Sequence, residues 1–99
     1  KQSMTYSEIT FKLGKLPELH LKLKCDETGR FRVSENSVLL DEKEYDRQQV
    51  ENLVVTMGLQ IEENKIILNS REEEIEDDIF RLIAGCYLIY FLHYFMELP

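Results

Sequence analysis

The C-terminal segment from Leu82 to Met96 constrains the fold most, because its fifteen residues carry no formal charge when His93 is neutral. A segment that spans a membrane needs about 20 such residues, and Arg81 and Glu97 end this one on either side. As a helix it is apolar around nearly its whole circumference, so it must be covered on every side. We therefore predict a buried helix of a globular protein and no membrane span.

The small size of the chain limits how much of this helix it can cover itself. We expect one small sheet and one short helix to cover about half of the circumference. A second copy of the helix would cover the rest, since two-fold dimers are the commonest oligomers; a helix wrapped entirely by its own sheet is the alternative. The predicted homodimer interface consists of Tyr87, Tyr90, Phe91, Tyr94 and Phe95.

The rest of the chain indicates one α+β domain, residues 1–99, because it contains no internal repeat and no linker. Apolar and polar residues alternate in three N-terminal segments, which predicts an antiparallel meander with one solvent-facing side. Val50, Leu53, Val54 and Met57 form the stripe of an amphipathic helix. The predicted elements are strands at 5–13, 18–25 and 30–34, a helix at 42–57, strands at 59–61 and 66–68, and a helix at 71–96. The order β-β-β-α-β-β-α predicts an antiparallel sheet packed on a long C-terminal apolar helix.

Caps and turns mark the ends of these elements. Asp41 is predicted to cap the first helix, and Ser70 with Glu73 forms a capping box for the second. Gly58 suits the left-handed position after a helix end. Asn64 suits a tight hairpin turn because it tolerates a positive φ.

The charge of the chain is unevenly distributed. The net charge is −7, yet residues 1–33 carry seven bases and four acids, and the remaining residues carry five bases and fifteen acids. An acidic chain is a poor general binder of nucleic acid, because the phosphates repel it. The first three strands are the exception, since their alternation predicts a basic outer side. Its residues are Lys12, His20, Lys22, Lys24, Arg30 and Arg32.

This basic side is a candidate for binding nucleic acid or an acidic peptide. As the strands are assigned, none of their outward residues is aromatic, which disfavours the base stacking that single-strand binders use. A purely intramolecular role, in which the basic side balances the acidic helices, is the alternative.

An acidic run at the start of the predicted long helix is the second candidate surface. It consists of Glu72, Glu73, Glu74, Glu76, Asp77 and Asp78. A solvated helix start is one interpretation, because the helix dipole favours negative charge there. A mimic of the nucleic-acid backbone is another, extended by Glu62, Glu63 and the acids of the first helix. A cation site is disfavoured, because the run lacks the spaced acids and turn-forming glycine of a calcium loop.

Residues with catalytic potential are few. His20 is predicted to be a solvated surface residue, and His93 a hydrogen-bonded core or interface residue with no second ligand at metal spacing. Cys25 and Cys86 are predicted to be small buried hydrophobes. No phosphate-binding glycine loop or hydrolase motif occurs, and no nucleophile–base pair is evident. We therefore expect no enzymatic activity, no cofactor and no metal, in a reducing, cytoplasmic setting.

Three stretches, 29–33, 50–61 and 66–88, resemble a family of small uncharacterised domains of bacteria and their phages. The resemblance implies a strand, helix, hairpin and apolar final helix, and it implies no activity. At 34–37 this chain has Ser-Glu-Asn-Ser, where that family carries an acidic turn containing glycine. The order of elements is also similar to the body of class I type III secretion chaperones, which are small acidic homodimers.

Together these features predict a non-enzymatic acidic module that binds another protein. The specific version is a homodimeric phage or mobile-element regulator or inhibitor that occludes its partner. One alternative is a nucleic-acid-binding protein that uses the basic side of the first three strands. The other alternative is a dimer of the secretion-chaperone kind.

Overall fold

The computed structural model describes residues 5–37 and 47–96 and shows the predicted order of elements. They are β1 (Thr5–Phe11), β2 (Leu19–Cys25), β3 (Arg30–Glu35), α1 (Arg47–Thr56), β4 (Gln60–Glu62), β5 (Lys65–Arg71) and α2 (Ile75–Met96). The predicted cap of the first helix, Asp41, lies outside the described residues.

The five strands form one antiparallel sheet in the order β1-β2-β3-β5-β4. Inward strand residues such as Leu21 and Val33 are fully buried in one core with Val54 of α1 and Leu82 of α2. Both helices therefore cover the same face of the sheet, and the predicted α+β architecture is confirmed. The opposite face carries none of the described helices.

The largest differences from the predicted boundaries are at the end of β1 and between β5 and α2. The strand β1 ends at Phe11, and Leu13, the last residue of the predicted strand, is 55% exposed in the following turn. The strand β5 continues to Arg71, because each of its last residues pairs with β3 up to the pair Arg30 and Arg71. Ser70 is therefore a buried strand residue, so its predicted capping box is wrong, and α2 begins at Ile75.

The predicted turns are confirmed. Gly58 has a φ of +73°, and the amide of Leu59 donates to the Val54 carbonyl at 2.8 Å, which is the Schellman ending of a helix. Glu63 and Asn64 both have positive φ, as in a type I′ turn between β4 and β5.

The end of α1 also receives a side chain from α2. Nη1 of Arg81 donates a hydrogen bond to the Met57 carbonyl at 2.9 Å. A Cβ atom added at Gly58 would lie 2.4 Å from this Nη1 atom. Gly58 therefore adopts the left-handed backbone conformation and leaves room for the guanidinium of Arg81, which an added Cβ would displace.

Replacing Gly58 by alanine is expected to cost about 2 kcal/mol of unfolding free energy, since the left-handed backbone and the displaced Arg81 both contribute. Gly14 is the matched control, because its φ is also positive but a Cβ there would meet nothing within 4 Å. Urea unfolding of Gly14→Ala should show only the backbone cost, about 1 kcal/mol. Equal losses in the two variants would contradict the role of Arg81.

Candidate partner-binding surfaces

The side of the sheet away from the helices, here called the outer face, is rich in cations. The register places the predicted basic residues of β2 and β3 there and adds two from β5. Its charged residues are Glu8, Lys22, Lys24, Arg30, Arg32, Glu62, Lys65 and Arg71. Six bases against two acids give this face a net charge of +4, in a chain whose net charge is −7.

Lys65 and Arg71 were not predicted to belong to this face. The predicted positions were a turn for Lys65 and the helix for Arg71, whereas both are end residues of β5. The pattern that indicates this position is the spacing of two residues between Lys65, Ile67, Asn69 and Arg71, because residues two apart in a strand point to the same face. The apolar Ile67 at an outward position obscures that signal. Lys12 follows the last residue of β1 and is exposed.

Like charges stand directly opposite each other at two places on the outer face. Lys24 pairs with Arg32 between β2 and β3, and Arg30 pairs with Arg71 between β3 and β5. Directly opposed like charges destabilise a sheet. The sheet therefore concentrates positive charge on its three central strands at an energetic cost.

Carboxylates of the chain offset part of this charge. Arg32 forms an ion pair with Glu62 of β4. Arg30 and Arg71 line an open hollow together with Glu72 and Glu73.

Three cations of the outer face form no direct ion pair within the described part of the chain. Among the residues that the structure describes, Lys24, Lys65 and Arg71 form no ion pair within 4 Å. These three side chains are therefore available to an anionic partner.

Tyr6 corrects the expectation that no aromatic residue stands on the outer side of the first three strands. It pairs with Lys24 and so occupies a register position of the outer face. Its side chain lies outside the described ones.

The imidazole of His20 is at the surface and contacts an acid of the preceding loop. Its Nε2 atom lies 3.3 Å from Oε2 of Glu18, and both side chains are about half exposed. This is the arrangement of an exposed surface pair, which contributes little to stability.

The acidic run does not form a single helical surface. Glu72, Glu73 and Glu74 lie in the turn before α2, whereas Glu76 and Asp77 are exposed in its first turn. The expectation that all six acids share the helix start is therefore wrong. The physical reason is the extension of β5, which delays the helix.

Asp78 has a structural contact rather than a free carboxylate. It accepts hydrogen bonds from the Ser70 hydroxyl at 2.5 Å and from Nη2 of Arg81 at 2.7 Å. The Ser70 hydrogen bond is the main cause that lowers the pKa of Asp78 below 3.8, and Arg81 adds to it. Asp78 thereby links β5, α2 and, through Arg81, the end of α1, and its carboxylate is engaged within the fold.

The predicted dimer interface is partly internal. Tyr87 is 6% exposed, and its hydroxyl donates to the Pro17 carbonyl at 3.0 Å. Its ring centroid lies 6.2 Å from that of Phe11. Tyr87 is therefore a core residue of the single chain, and its prediction as an uncovered interface residue is wrong, because the loop before β2 reaches over the helix.

Of the other predicted interface residues, two are more exposed than Tyr87, and the side chains of the other two lie outside the described ones. Tyr90 and Phe91 are half-buried and meet edge to face at 5.7 Å. Tyr94 and Phe95 belong to α2, but their side chains lie outside the described ones.

The exposed apolar side chains of α2 are not those of the predicted dimer interface. Phe80 is 65% and Leu88 is 43% exposed, and Ala84 between them is exposed as well. The spacing of four places them on one stripe of the helix. The sequence does not show which residues form this exposed stripe. The helix is apolar around its whole circumference, so no side of it is distinguished by its residue types.

A buried acid, Glu35, lies at the end of β3 and was also missed. It is 0% exposed and accepts hydrogen bonds from the His20 amide at 2.8 Å and the Ser37 amide at 2.9 Å, and from the Ser37 hydroxyl. Its inward position follows from the alternation of Phe31, Val33 and Glu35. The carboxylate ties the start of β2 to the end of β3.

The two thiols differ in their surroundings. Cys86 is fully buried in the core, and Cys25 is half-buried at the end of β2. Burial, with a smaller contribution from the charge of Glu35, raises the pKa of Cys86 well above its ordinary value of 9.0. A nucleophilic thiol needs a lowered pKa and exposure, so Cys86 is inert.

The raised pKa of Cys86 predicts a loss of stability in alkali. Above pH 9.0 the unfolded chain releases the thiol proton while the folded chain keeps it, so unfolding becomes easier as the pH rises. The contribution is up to about 1.4 kcal/mol per pH unit. Between pH 9 and pH 10, the unfolding free energy of Cys86→Ala should fall less steeply than that of the wild type, and equal slopes would contradict the assignment.

Among residues 5–37 and 47–96, no group of three or more His, Cys, Asp or Glu residues could hold a metal ion. Within the same ranges, no helix combines the length and the apolar character needed to cross a membrane. The chain matches no protein-family model, no curated protein and no solved structure. Its function must therefore be argued from its surfaces.

Proposed function

We propose that this protein is a non-enzymatic binding module that docks on another protein through the outer face of its sheet. The observation that carries the proposal is the cationic outer face, which none of the described helices covers, on a chain that is acidic overall. Such charge segregation raises the rate of encounter with a complementary partner and selects among partners. By docking there, the module covers a surface of its partner and blocks it.

Docking through the acidic run, as a mimic of the nucleic-acid backbone, has less structural support than docking through the outer face. Asp78 is engaged within the fold, and Glu72–Glu74 lie in a turn rather than on the helix. The outer face is formed by paired strands and is therefore the more rigid of the two charged surfaces. The resemblance to bacterial and phage domains supports a phage or mobile-element regulator, and two free thiols suit a cytoplasmic setting.

The uncovered stripe on α2 supports a homodimer as the docking form. Phe80, Ala84 and Leu88 form a large–small–large pattern, which is complementary to itself when two helices cross antiparallel. The topological similarity to dimeric secretion chaperones implies the same state. Sedimentation equilibrium of Phe80→Glu tests it, with a dimeric wild type and a monomeric variant as the expected result.

The docking proposal is tested by reconstitution with a partner purified from the native host. The wild type and Lys15→Gln, which removes a cation from an exposed loop, should form the same defined complex. Lys24→Glu with Arg32→Glu should lose it. If the complex still forms when Lys24→Glu and Arg32→Glu reverse both charges, the outer face is not the docking surface.

Nucleic acid is the second candidate ligand, and the concentration of Lys24, Arg30 and Arg32 on two paired strands favours it. Tyr6, at the register position opposite Lys24, is the aromatic residue to test for base stacking. Heparin and oligonucleotide retention at increasing salt separates the candidates. Strong, steeply salt-dependent retention that Tyr6→Ala weakens would favour nucleic acid over protein.

A further inference from the structure

We infer that the central cations of the outer face form a site for a short, carboxylate-rich segment of a partner protein. This inference rests on the proposed docking function and names the chemistry of the partner. The site consists of Lys24, Arg32, Arg30 and Arg71, which lie next to one another on β2, β3 and β5.

The cations of the site face one another in like-charge pairs. Lys24 opposes Arg32, and Arg30 opposes Arg71, so each cation of the site faces another one across the ladder. An isolated fold gains nothing from such pairs. A carboxylate placed between the two members of a pair removes the repulsion, and with Arg it forms a charge-assisted, bidentate hydrogen bond.

The shape of the surface between the strands supports an inserted side chain. Lys24, Arg32 and Lys65 line a hollow of about 180 Å³ together with Ser34, Glu62 and Glu63. Glu62 pairs with Arg32 there, so Lys24, Lys65 and the Ser34 hydroxyl group are the donors that it offers to a further carboxylate.

The acids around the site limit the length of its ligand. Glu8 lies beyond it on β1, Glu62 and Glu63 lie on the β4 side, and Glu72 and Glu73 stand at the far end of β5. A long polyanion such as nucleic acid would pass these carboxylates and be repelled. A short acidic segment of a protein can occupy the two cation pairs without running past all of these carboxylates, so we place it in the site rather than a nucleic-acid strand.

The experiment uses fluorescence anisotropy with two defined probes. One is a short labelled peptide of alternating glutamate and alanine, and the other is an oligothymidylate with the same number of negative charges. The wild type should bind the peptide more tightly than the oligothymidylate at low salt. Lys24→Gln combined with Arg71→Gln should weaken peptide binding about fivefold to tenfold, and Lys15→Gln should leave it within about twofold.

A stability measurement separates a binding role from a structural one. Because the two substitutions remove like-charge repulsion, the urea midpoint of the double variant should be unchanged or raised. A lowered midpoint would make these cations structural and overturn the inference.

Binding that the double variant retains would also overturn the inference, as would tighter binding of the oligothymidylate. If the host partner docks on the outer face but the peptide does not bind, the inference fails while the docking function stands. If the host partner docks elsewhere, the docking function itself fails.

Discussion

Replacing Glu35 by alanine is expected to lower the free energy of unfolding by about 3 kcal/mol, the largest effect of any single substitution proposed for this chain. The carboxylate is fully buried and accepts hydrogen bonds from the His20 amide and from the amide and hydroxyl of Ser37. Its removal leaves these donors without an acceptor at the junction of β2 and β3. Urea unfolding at neutral pH measures the loss.

Two further variants make the Glu35 result interpretable. Glu35→Gln keeps one acceptor oxygen and should lose about 1 kcal/mol. Glu18→Ala removes an exposed acid of the adjoining loop and should change stability by less than about 0.5 kcal/mol. A near-neutral result for Glu35→Ala would mean that the carboxylate does not hold the strands together.

Replacing Asp78 by alanine should cost about 2 kcal/mol, because Ser70 and Arg81 both lose a charge-assisted hydrogen bond. Asp77 is the matched control, since it is exposed in the same turn of α2. Asp77→Ala should change stability by less than about 0.5 kcal/mol. Equal losses would assign the effect to the helix dipole rather than to the Asp78 contacts.

The same contacts predict a dependence on pH. The lowered pKa of Asp78 means that its contribution is complete above pH 3.8 and is lost as the pH falls through the folded-state pKa. The difference in unfolding free energy between the wild type and Asp78→Ala should therefore shrink in acid. A constant difference from neutral pH to below pH 3.8 would contradict the ionised, paired state of Asp78.

Local patterns in the sequence were sufficient for most of the fold. Alternation predicts β2 and β3 because each of these strands has one buried and one solvated side. Gly58 and Asn64 predict their turns because few other residues adopt a positive φ. The same alternation places the cations of β2 and β3 on the outer face.

The start of α2 shows where a local pattern fails. Ser70 and Glu73 have the spacing of a capping box, but pairing with β3 extends β5 through Arg71. Strand pairing is a long-range interaction that a window of four residues does not contain. The same error assigned Arg71 to the helix and placed all six acids of the run on the helix, whereas the structure has Glu72, Glu73 and Glu74 in the preceding turn.

The surfaces of α2 and the burial of Glu35 depend on distant partners as well. Tyr87 is covered because its hydroxyl reaches the carbonyl of Pro17, seventy residues earlier. Glu35 is satisfied by the His20 amide, fifteen residues earlier. Neither contact leaves a mark in the neighbouring sequence. The alternation of β3 points Glu35 inward but does not show which distant donors satisfy its carboxylate.

Mapping of the bound peptide by backbone amide chemical shifts tests most directly whether the outer face is the binding surface. Titration of the labelled wild-type chain with the glutamate–alanine peptide should shift the amides of β2, β3 and β5, with the largest changes around Lys24, Arg32 and Arg71. Shifts confined to Phe80, Ala84 and Leu88, or to the turn at 72–74, would place binding elsewhere on the molecule and contradict the account.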